Sequence, residues 1–391
     1  LWLAMTIISL SLFSGTKAGC RRPERQMPVT TRPSFFKLGC EGEFMKGSQR
    51  GFGLVELMIA ITLGLFLSAA VIQVFLATNA SSKVQDSLAQ IQENARFAMR
   101  FFGKEIRMAG YMGCSSIGNI SVNVIAVPAN VVDFSLATAL VGEDNVVAGN
   151  ALSAVVGSDV LHIKKASEND VNVTGNMASN NANLQIENNS LGFATGDYVM
   201  VSDCLNADVF RIVNNPGNNG NGNAATTLAH SVGQGLNSSN NLSKLYQTDA
   251  EVFGFESVDY FIRDTGRDTA GGRPINALYM QRLVAGSGGV TAAAVELVEG
   301  VEDMQISYGV DTNDDRAVDE YRSGAAVMDW VDVLSVRISL LLVATEENIV
   351  GKTGSENAQS VIDINGNVVA NTDGRFRQIF TNVFAIRNKL P

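Results

Sequence analysis

The sequence predicts an α+β protein: one long N-terminal helix, apolar in its first half and amphipathic in its second, packed on an antiparallel β-sheet domain with long loops. Three observations carry this expectation. An apolar run extends from Phe52 to about Ala77, roughly 26 residues and long enough to cross a bilayer as a helix. No proline interrupts the chain from Phe52 to about Met108, and apolar residues in the second half of that stretch recur at alternating spacings of four and three. Beyond the glycines at Gly110 and Gly113, short runs with strand character replace the helical period.

Composition narrows the classes of function. The chain has 391 residues, enough for one large domain or two small ones, and 46% hydrophobic against 17% charged residues makes it globular. The formal net charge is -10. Residues 1–51 hold eight Lys or Arg and three Glu, so they carry +5 and everything after them -15. A strongly acidic remainder lacks the basic face that a nucleic-acid partner requires, and no direct nucleic-acid binding is expected.

In chain order, Leu1–Phe13 is apolar and would pass for a secretory signal. Cys20 follows Gly19, but Lys17 stands where a lipoprotein signal wants an aliphatic residue. A short basic leader, Met45 to Gly51, then precedes Phe52. Lys46 and Arg50 flank the apolar run on this side and Lys83 is the first charge after it, so the leader side is the cytoplasmic one. Glu56 sits as the fifth residue of the run, where a lone carboxylate is costly and marks function. No Lys or Arg within the run neutralises it. A cut between Gly51 and Phe52 would create an α-amino group at Phe52, which helix geometry pairs more naturally with Glu56 of a neighbouring chain than with its own.

Gly51-Phe52, then Glu56, then an apolar helix resembles the class III signal of type IV pilins and pseudopilins. The signal covers about a dozen residues and is specific; the alternative is an ordinary signal anchor with a chance Glu. The resemblance implies that a prepilin peptidase cuts after Gly51 and methylates Phe52, and that Glu56 guides assembly. It also implies that the leader lies at the cytoplasmic end of the first spanning helix. Translation is therefore expected to start at Met45, with 1–44 as upstream sequence outside the mature protein. The expected organisation is a leader at 45–51 and a helix over 52–109, apolar over 52–77 and amphipathic over 78–109. A β-rich globular domain follows over 110–391.

The amphipathic stripe is Val84, Leu88, Ile91, Ala95, Ala98 and Phe102. Its shortness and its alanines suit packing on a sheet better than a coiled coil. Strands are expected at Asp159–Lys165, Asp197–Asp203, Asp208–Val213, Val252–Arg263, Ala277–Val284, Met304–Val310, Val333–Ala344 and Phe376–Arg387. Val333–Ala344 is the strongest central candidate, with one face buried and the other wet in its first half. Asn172–Asn189 and Asn214–Asn241, rich in Asn, Gly and Ser, read as long surface loops.

After the expected cut, Cys114 and Cys204 remain, and two cysteines in an exported chain usually pair. The alternative is two buried free thiols. Asp311, Asn313, Asp315 and Asp319 fall at positions one, three, five and nine of a loop similar to a calcium loop of EF-hand type, with the Ala317 carbonyl at position seven. Arg316 replaces the turn Gly and Arg322 the bidentate Glu. The other reading is a solvated acidic turn. Possible Ca2+ is thus the only cofactor expected. Enzyme signatures are absent: His162 and His230 show no partner for triad or zinc chemistry. Glu346 occupies the place of the first glycine of a phosphate loop ahead of Gly351-Lys352-Thr353.

The globular part is similar to the large minor pilins of the PilW type at Gly110–Cys114, Gly196–Cys204 with Ala207–Phe210, Glu299–Tyr308 and Phe380–Leu390. These stretches overlap with the J-type pseudopilins of type II secretion. The resemblance implies a pilin-like fold and a structural role in an initiation or tip complex of the type IV pilus. Implied partners are other minor pilins, the major pilin, the prepilin peptidase, the inner-membrane assembly platform and a tip adhesin. The implied location is a single pass in the inner membrane of a Gram-negative bacterium, with the domain periplasmic, and then the pilus. The alternatives are a type II secretion pseudopilin and a membrane-anchored, calcium-dependent adhesin or binding module.

Overall fold

A computed structural model describes residues 53–389 except 115–116, 119, 121, 129–131, 176, 218–225, 283–292, 356–357 and 365. The segment 1–44, the leader 45–51 and Phe52 lie outside the described residues. A single helix, α1, runs from Leu54 to Met108 over 55 residues. The chain divides into two compact units, Leu1–Phe66 and Leu67–Pro391. In the first, the large side chains of α1 from Leu54 to Phe66 are exposed. In the second, α1 stays exposed as far as Lys83 and then buries Ser87, Ile91, Ala95, Ala98, Phe102, Glu105 and Ile106. The expected stripe is thus shifted at its start: Val84 and Leu88 are half-buried, and the small Ser87 makes the first close approach.

Sixteen described strands follow. The larger sheet orders β1 (Val122–Val124), β6 (Ala207–Arg211), β5 (Tyr198–Ser202), β8 (Glu251–Asp268), β3 (Val160–Asn172) and β2 (Leu140–Glu143), with β9 (Pro274–Arg282) beside β8 and β10 (Val295–Glu299) beside β9. Only β1 with β6 is parallel among its pairs. The smaller sheet is antiparallel: β12 (Glu320–Ser323), β11 (Val301–Val310), β13 (Val333–Val343) and β16 (Arg377–Ala385). Two short pairs complete the set, β4 (Leu184–Ile186) with β7 (Thr226–Leu228) and β14 (Val361–Ile362) with β15 (Val368–Val369). The buried side of α1 joins Leu161, Ile163 and Tyr260 of the larger sheet and Met304, Ile306, Ile338 and Leu340 of the smaller in one apolar cluster. Phe102 meets Tyr260 edge-on, ring centres 5.6 Å apart. Such a fully buried phenyl ring contributes about 2–3 kcal/mol of apolar burial.

The eight strands expected from sequence all occur, with their ends moved by a few residues except for β3, which runs on to Asn172, and β8, which runs on to Asp268. Residues 283–284 of the expected Ala277–Val284 strand lie outside the described residues. Two expectations are corrected. The Asn-rich stretches are not simply surface loops. β4 and β7 lie within them, and Leu184, Ile186 and Leu228 form a second core with Phe210, Leu242 and Tyr246. Asparagine side chains there serve as substitutes for backbone partners, which polar composition alone hides. Asn189 Oδ1 accepts from Phe193 N–H at 2.7 Å and Asn214 Oδ1 from Ala229 N–H at 2.9 Å. The buried Asn237 accepts from Arg211 N–H and donates to its carbonyl, each at 2.7 Å. The second correction concerns β13. Its expected wet face is largely covered, because Ser335 meets the Tyr321 hydroxyl at 3.2 Å and Ser339 meets the Thr381 hydroxyl at 2.8 Å, and both serines are buried. Arg337 lies over the Tyr321 ring, 3.6 Å from its centre.

Candidate assembly site

The start of α1 is built to hold one charge in apolar surroundings. Gly53 N–H donates to Glu56 Oε2 at 3.3 Å, the back half of a capping box. Nothing else between Gly53 and Ser82 is ionised. The hydroxyls of Thr62 and Thr78 donate back to the helix carbonyls of Ile59 and Val74 at 2.9 and 2.8 Å, so they need no outside partner in hydrocarbon. Leu54, Leu57, Ile61, Leu65, Phe66, Ile72 and Phe75 are all more than half exposed. This helix, alone among the described residues, is long and apolar enough to cross a membrane. Gly51 and Phe52, the other members of the expected processing site, lie outside the described residues.

Three devices fix the far end of the same helix. The first is ionic. Glu105, on the buried stripe, accepts from Lys165 Nζ and from the Tyr260 hydroxyl, both at 2.8 Å. Burial, and then the Glu105 charge, pushes the Tyr260 phenol far above its ordinary range. The second is covalent. Cys114 and Cys204 form a disulfide with Cα atoms 5.3 Å apart and 90 residues between them in sequence. It ties the segment after α1 to the β5–β6 turn, where Asp203 accepts from Leu205 and Asn206 N–H and pairs with Lys244. The third uses the C-terminal segment: Asn388 Nδ2 donates to the carbonyls of Arg107 and Ala109 at 3.2 and 3.0 Å. Gly110 turns the chain with φ +73° and donates its N–H to Lys164 of β3 at 2.9 Å.

The acidic loop between β11 and β12 folds on itself. Asp311 Oδ2 accepts from Arg316 N–H at 2.7 Å, Asn313 Oδ1 from Asp315 N–H at 2.9 Å and Asp315 Oδ1 from Ala317 N–H at 2.8 Å. Asp319 Oδ2 takes both the N–H and the hydroxyl of Thr312. Arg316 adopts φ +67°, the turn that glycine would make more cheaply. Arg322, at the twelfth position, pairs with Glu320. No three His, Cys, Asp or Glu side chains gather as metal ligands among the described residues. Calcium at Asp311, Asn313, Asp315 and Asp319 therefore enters no step of the functional reading.

Several partnerships were not visible along the chain. His162 pairs with Asp259 at 2.7 Å, one strand over, and His230 is buried with Nε2 at 3.0 Å from the Ala182 carbonyl. Both are structural contacts with no nucleophile in reach among those described. Arg377 bridges Glu302 and Asp373 at 2.6 and 2.8 Å, and Arg375 reaches Asp373 at 2.7 Å. Burial would raise Asp373, but the two guanidiniums hold its carboxyl far below the usual range. One signal was readable in advance: Glu105 continues the four-and-three spacing after Phe102, and a carboxylate on an apolar stripe demands a buried cation.

Two family models match. The prokaryotic N-terminal methylation motif covers residues 46–72, and type IV pilus-assembly protein W (PilW) covers residues 259–388. Over these residues the chain is similar to type IV pilus-assembly protein W and to proteins with the N-terminal methylation motif. No curated protein and no solved structure matches it. The methylation motif contains Gly51, Phe52 and Glu56. The PilW match runs from the middle of β8 through the smaller sheet to Asn388, so it includes the segment that clasps the end of α1. The two matches support a structural role rather than an enzymatic one, with other pilus components as partners, and the apolar helix fits a membrane-anchored pilin.

Proposed function

We propose that this minor pilin acts in the initiation or tip complex of the pilus. Prepilin peptidase first cuts between Gly51 and Phe52 and methylates Phe52. Glu56 then pairs with the new N-terminus of a neighbouring subunit as α1 leaves the bilayer for the filament. Before assembly the chain crosses the inner membrane of a Gram-negative cell once, with the domain in the periplasm. The observation that carries this reading is Glu56, the lone charged residue in the exposed apolar part of α1 and within the methylation-motif match. A tip position suits one large subunit with long connections better than a repeated one, and it makes sibling minor pilins, the major pilin, the assembly platform and a tip adhesin the contacts.

The test begins with the mature N-terminus, read by intact mass and terminal sequencing in cells with and without the prepilin peptidase. Methylated Phe52 in the first case and an uncut leader in the second are expected. A leader kept in both strains would overturn the reading in favour of an anchored binding module. Glu56→Ala should still be cut and remain in the membrane yet disappear from sheared pili. Normal incorporation of that variant would remove Glu56 from assembly.

A further inference from the structure

The smaller sheet ends in β16, and one edge of that strand's backbone is open. Ile386 N–H donates to the Leu334 carbonyl and Ala344 N–H to the Phe376 carbonyl, both at 2.9 Å, at the two ends of an unbroken β13–β16 ladder. Antiparallel pairing alternates, so the even-numbered residues of β16 turn their backbone groups to β13 and the odd-numbered ones turn theirs outward. At Arg377 a side chain meets the outward groups: Gln359 Nε2 donates to the Arg377 carbonyl at 2.7 Å, and Arg377 N–H donates to Gln359 Oε1 at 3.0 Å. This substitute strand goes no further. The outward groups of Ile379, Thr381 and Ala385 have no partner among the described residues, and Val383 N–H reaches only the Asn382 side chain, at 2.9 Å. Thr381, Asn382, Val383 and Ala385 are exposed. Sheet edges are ordinarily blunted by brevity, charge, proline or a bulge. The outer strands β1, β2, β10 and β12 are short, with three to five residues each. β16 has nine, no bulge against β13, and no charge, proline or glycine from Gln378 to Ile386.

A second observation is charge. α1 runs alongside β16: Phe380 shares a hollow of about 330 Å³ with Gln92, Ala95, Arg96 and Met99, and Asn388 donates to the Arg107 carbonyl. Between these points Gly103 lets α1 come close, since a Cβ there would stand 3.1 Å from the Phe384 ring. Arg96, Arg100 and Arg107 are exposed on this stretch of helix, and none is in an ion pair among the described residues. They form a basic flank on a chain that carries -15 after residue 51.

We propose that β16 accepts an extended, acidic segment of another polypeptide as an added strand of the smaller sheet. Backbone pairing at Ile379, Thr381, Val383 and Ala385 supplies the affinity, as in other strand-addition complexes. Carboxylates on the α1 side of the incoming strand meet Arg96 and Arg100, and a basic segment is repelled there. None of the processing or apolar-helix residues takes part, so this site stands or falls apart from the tip reading.

The test uses the full chain in a zwitterionic detergent and three fluorescein-labelled, amidated heptapeptides. The first alternates glutamate and valine on one face of the strand and carries threonine on the other. The second has lysine for each glutamate, and the third is the first with every backbone N–H methylated. Fluorescence anisotropy should show binding of the first alone, and hydrogen exchange over residues 378–386 should slow when it binds. Val383→Pro removes an N–H that β13 does not use, at a place where an edge strand tolerates proline. It should leave the thermal midpoint unchanged and abolish binding. Arg96→Glu should weaken the glutamate peptide about fivefold and bring the lysine peptide into measurable binding. No binding of the first peptide, or equal binding of either control, overturns the proposal. So does wild-type affinity in both variants. Dimerisation of the chain alone, removed by Val383→Pro, would overturn it in favour of a second copy as the occupant.

Discussion

At the scale of single residues, two carboxylates make opposite claims on pH. Asp159 is buried and accepts from Asn145 N–H at 2.8 Å and from Ile306 N–H at 2.7 Å. Burial outweighs those bonds and lifts its pKa from 3.8 to about 6. Because the folded state holds this proton more tightly than the unfolded chain, the contribution of Asp159 is fully present below the unfolded value. It is lost as pH rises from about 4 through about 6, by about 3 kcal/mol. Urea unfolding across that range should show this loss, and Asp159→Asn should remove it. Asp373 behaves in the reverse way. Its depressed pKa contributes stability that is present above the unfolded value and lost on acidification. Arg377→Met leaves Asp373 with Arg375 alone and should cost about 3 kcal/mol in urea unfolding at neutral pH. A cost below about 1 kcal/mol would show that the guanidinium pair is redundant.

At the scale of elements, α1 is the piece that the rest of the described chain grips. Glu105→Ala removes the carboxylate nearest to Lys165, itself 2% exposed, and should cost about 3 kcal/mol because a buried ammonium is left with Glu256 at 3.7 Å. The adjacent Lys104–Glu168 pair, at 2.5 Å but with both side chains about half exposed, gives the contrast. Lys104→Ala should change stability by less than about 1 kcal/mol. Equal effects of the two changes in chemical denaturation would refute burial as the deciding variable. The disulfide closes a loop of 90 residues. Its removal by Cys114→Ser should cost about 4 kcal/mol, mostly through the freedom returned to the unfolded chain. The helix was legible because fifty-odd residues without proline and with a steady period leave no other solution. So were eight of the nine described strands of five residues or more, β10 being the exception. β4 and β7 were not, since three-residue strands give no period and their asparagine neighbours imitate loop composition. The Glu105–Lys165 contact spans 60 positions, a distance over which neither side chain announces the other.

At the scale of the whole molecule, one chain serves two solvents. Leu54 to Leu76 presents large apolar side chains outward, as lipid or neighbouring helices require. From Ser87 onward the helix turns apolar atoms inward, against an acidic domain whose two larger sheets share its core cluster. Detaching the chain from membranes should therefore need detergent, and alkaline carbonate or high salt should leave it in the pellet. Release by carbonate alone would mean that Leu54–Leu76 does not span. The acidic loop between β11 and β12 keeps its oxygen atoms occupied within itself. Oxygen atoms at the right intervals in sequence take backbone amides of their own loop as partners, and Arg322, where a chelating carboxylate would stand, is held by Glu320.

By itself the sequence determined the class of protein. A methylation motif, a helix long and apolar enough to span a membrane and a lone carboxylate are local features, legible in the chain as a linear string. Tertiary structure decided everything that depends on two distant residues sharing one place: the partner of Glu105, the second core beneath the asparagines, and the pairing of His162 with Asp259. Burial sets the cost of each polar group there, and burial is a property of the packed chain, not of its order.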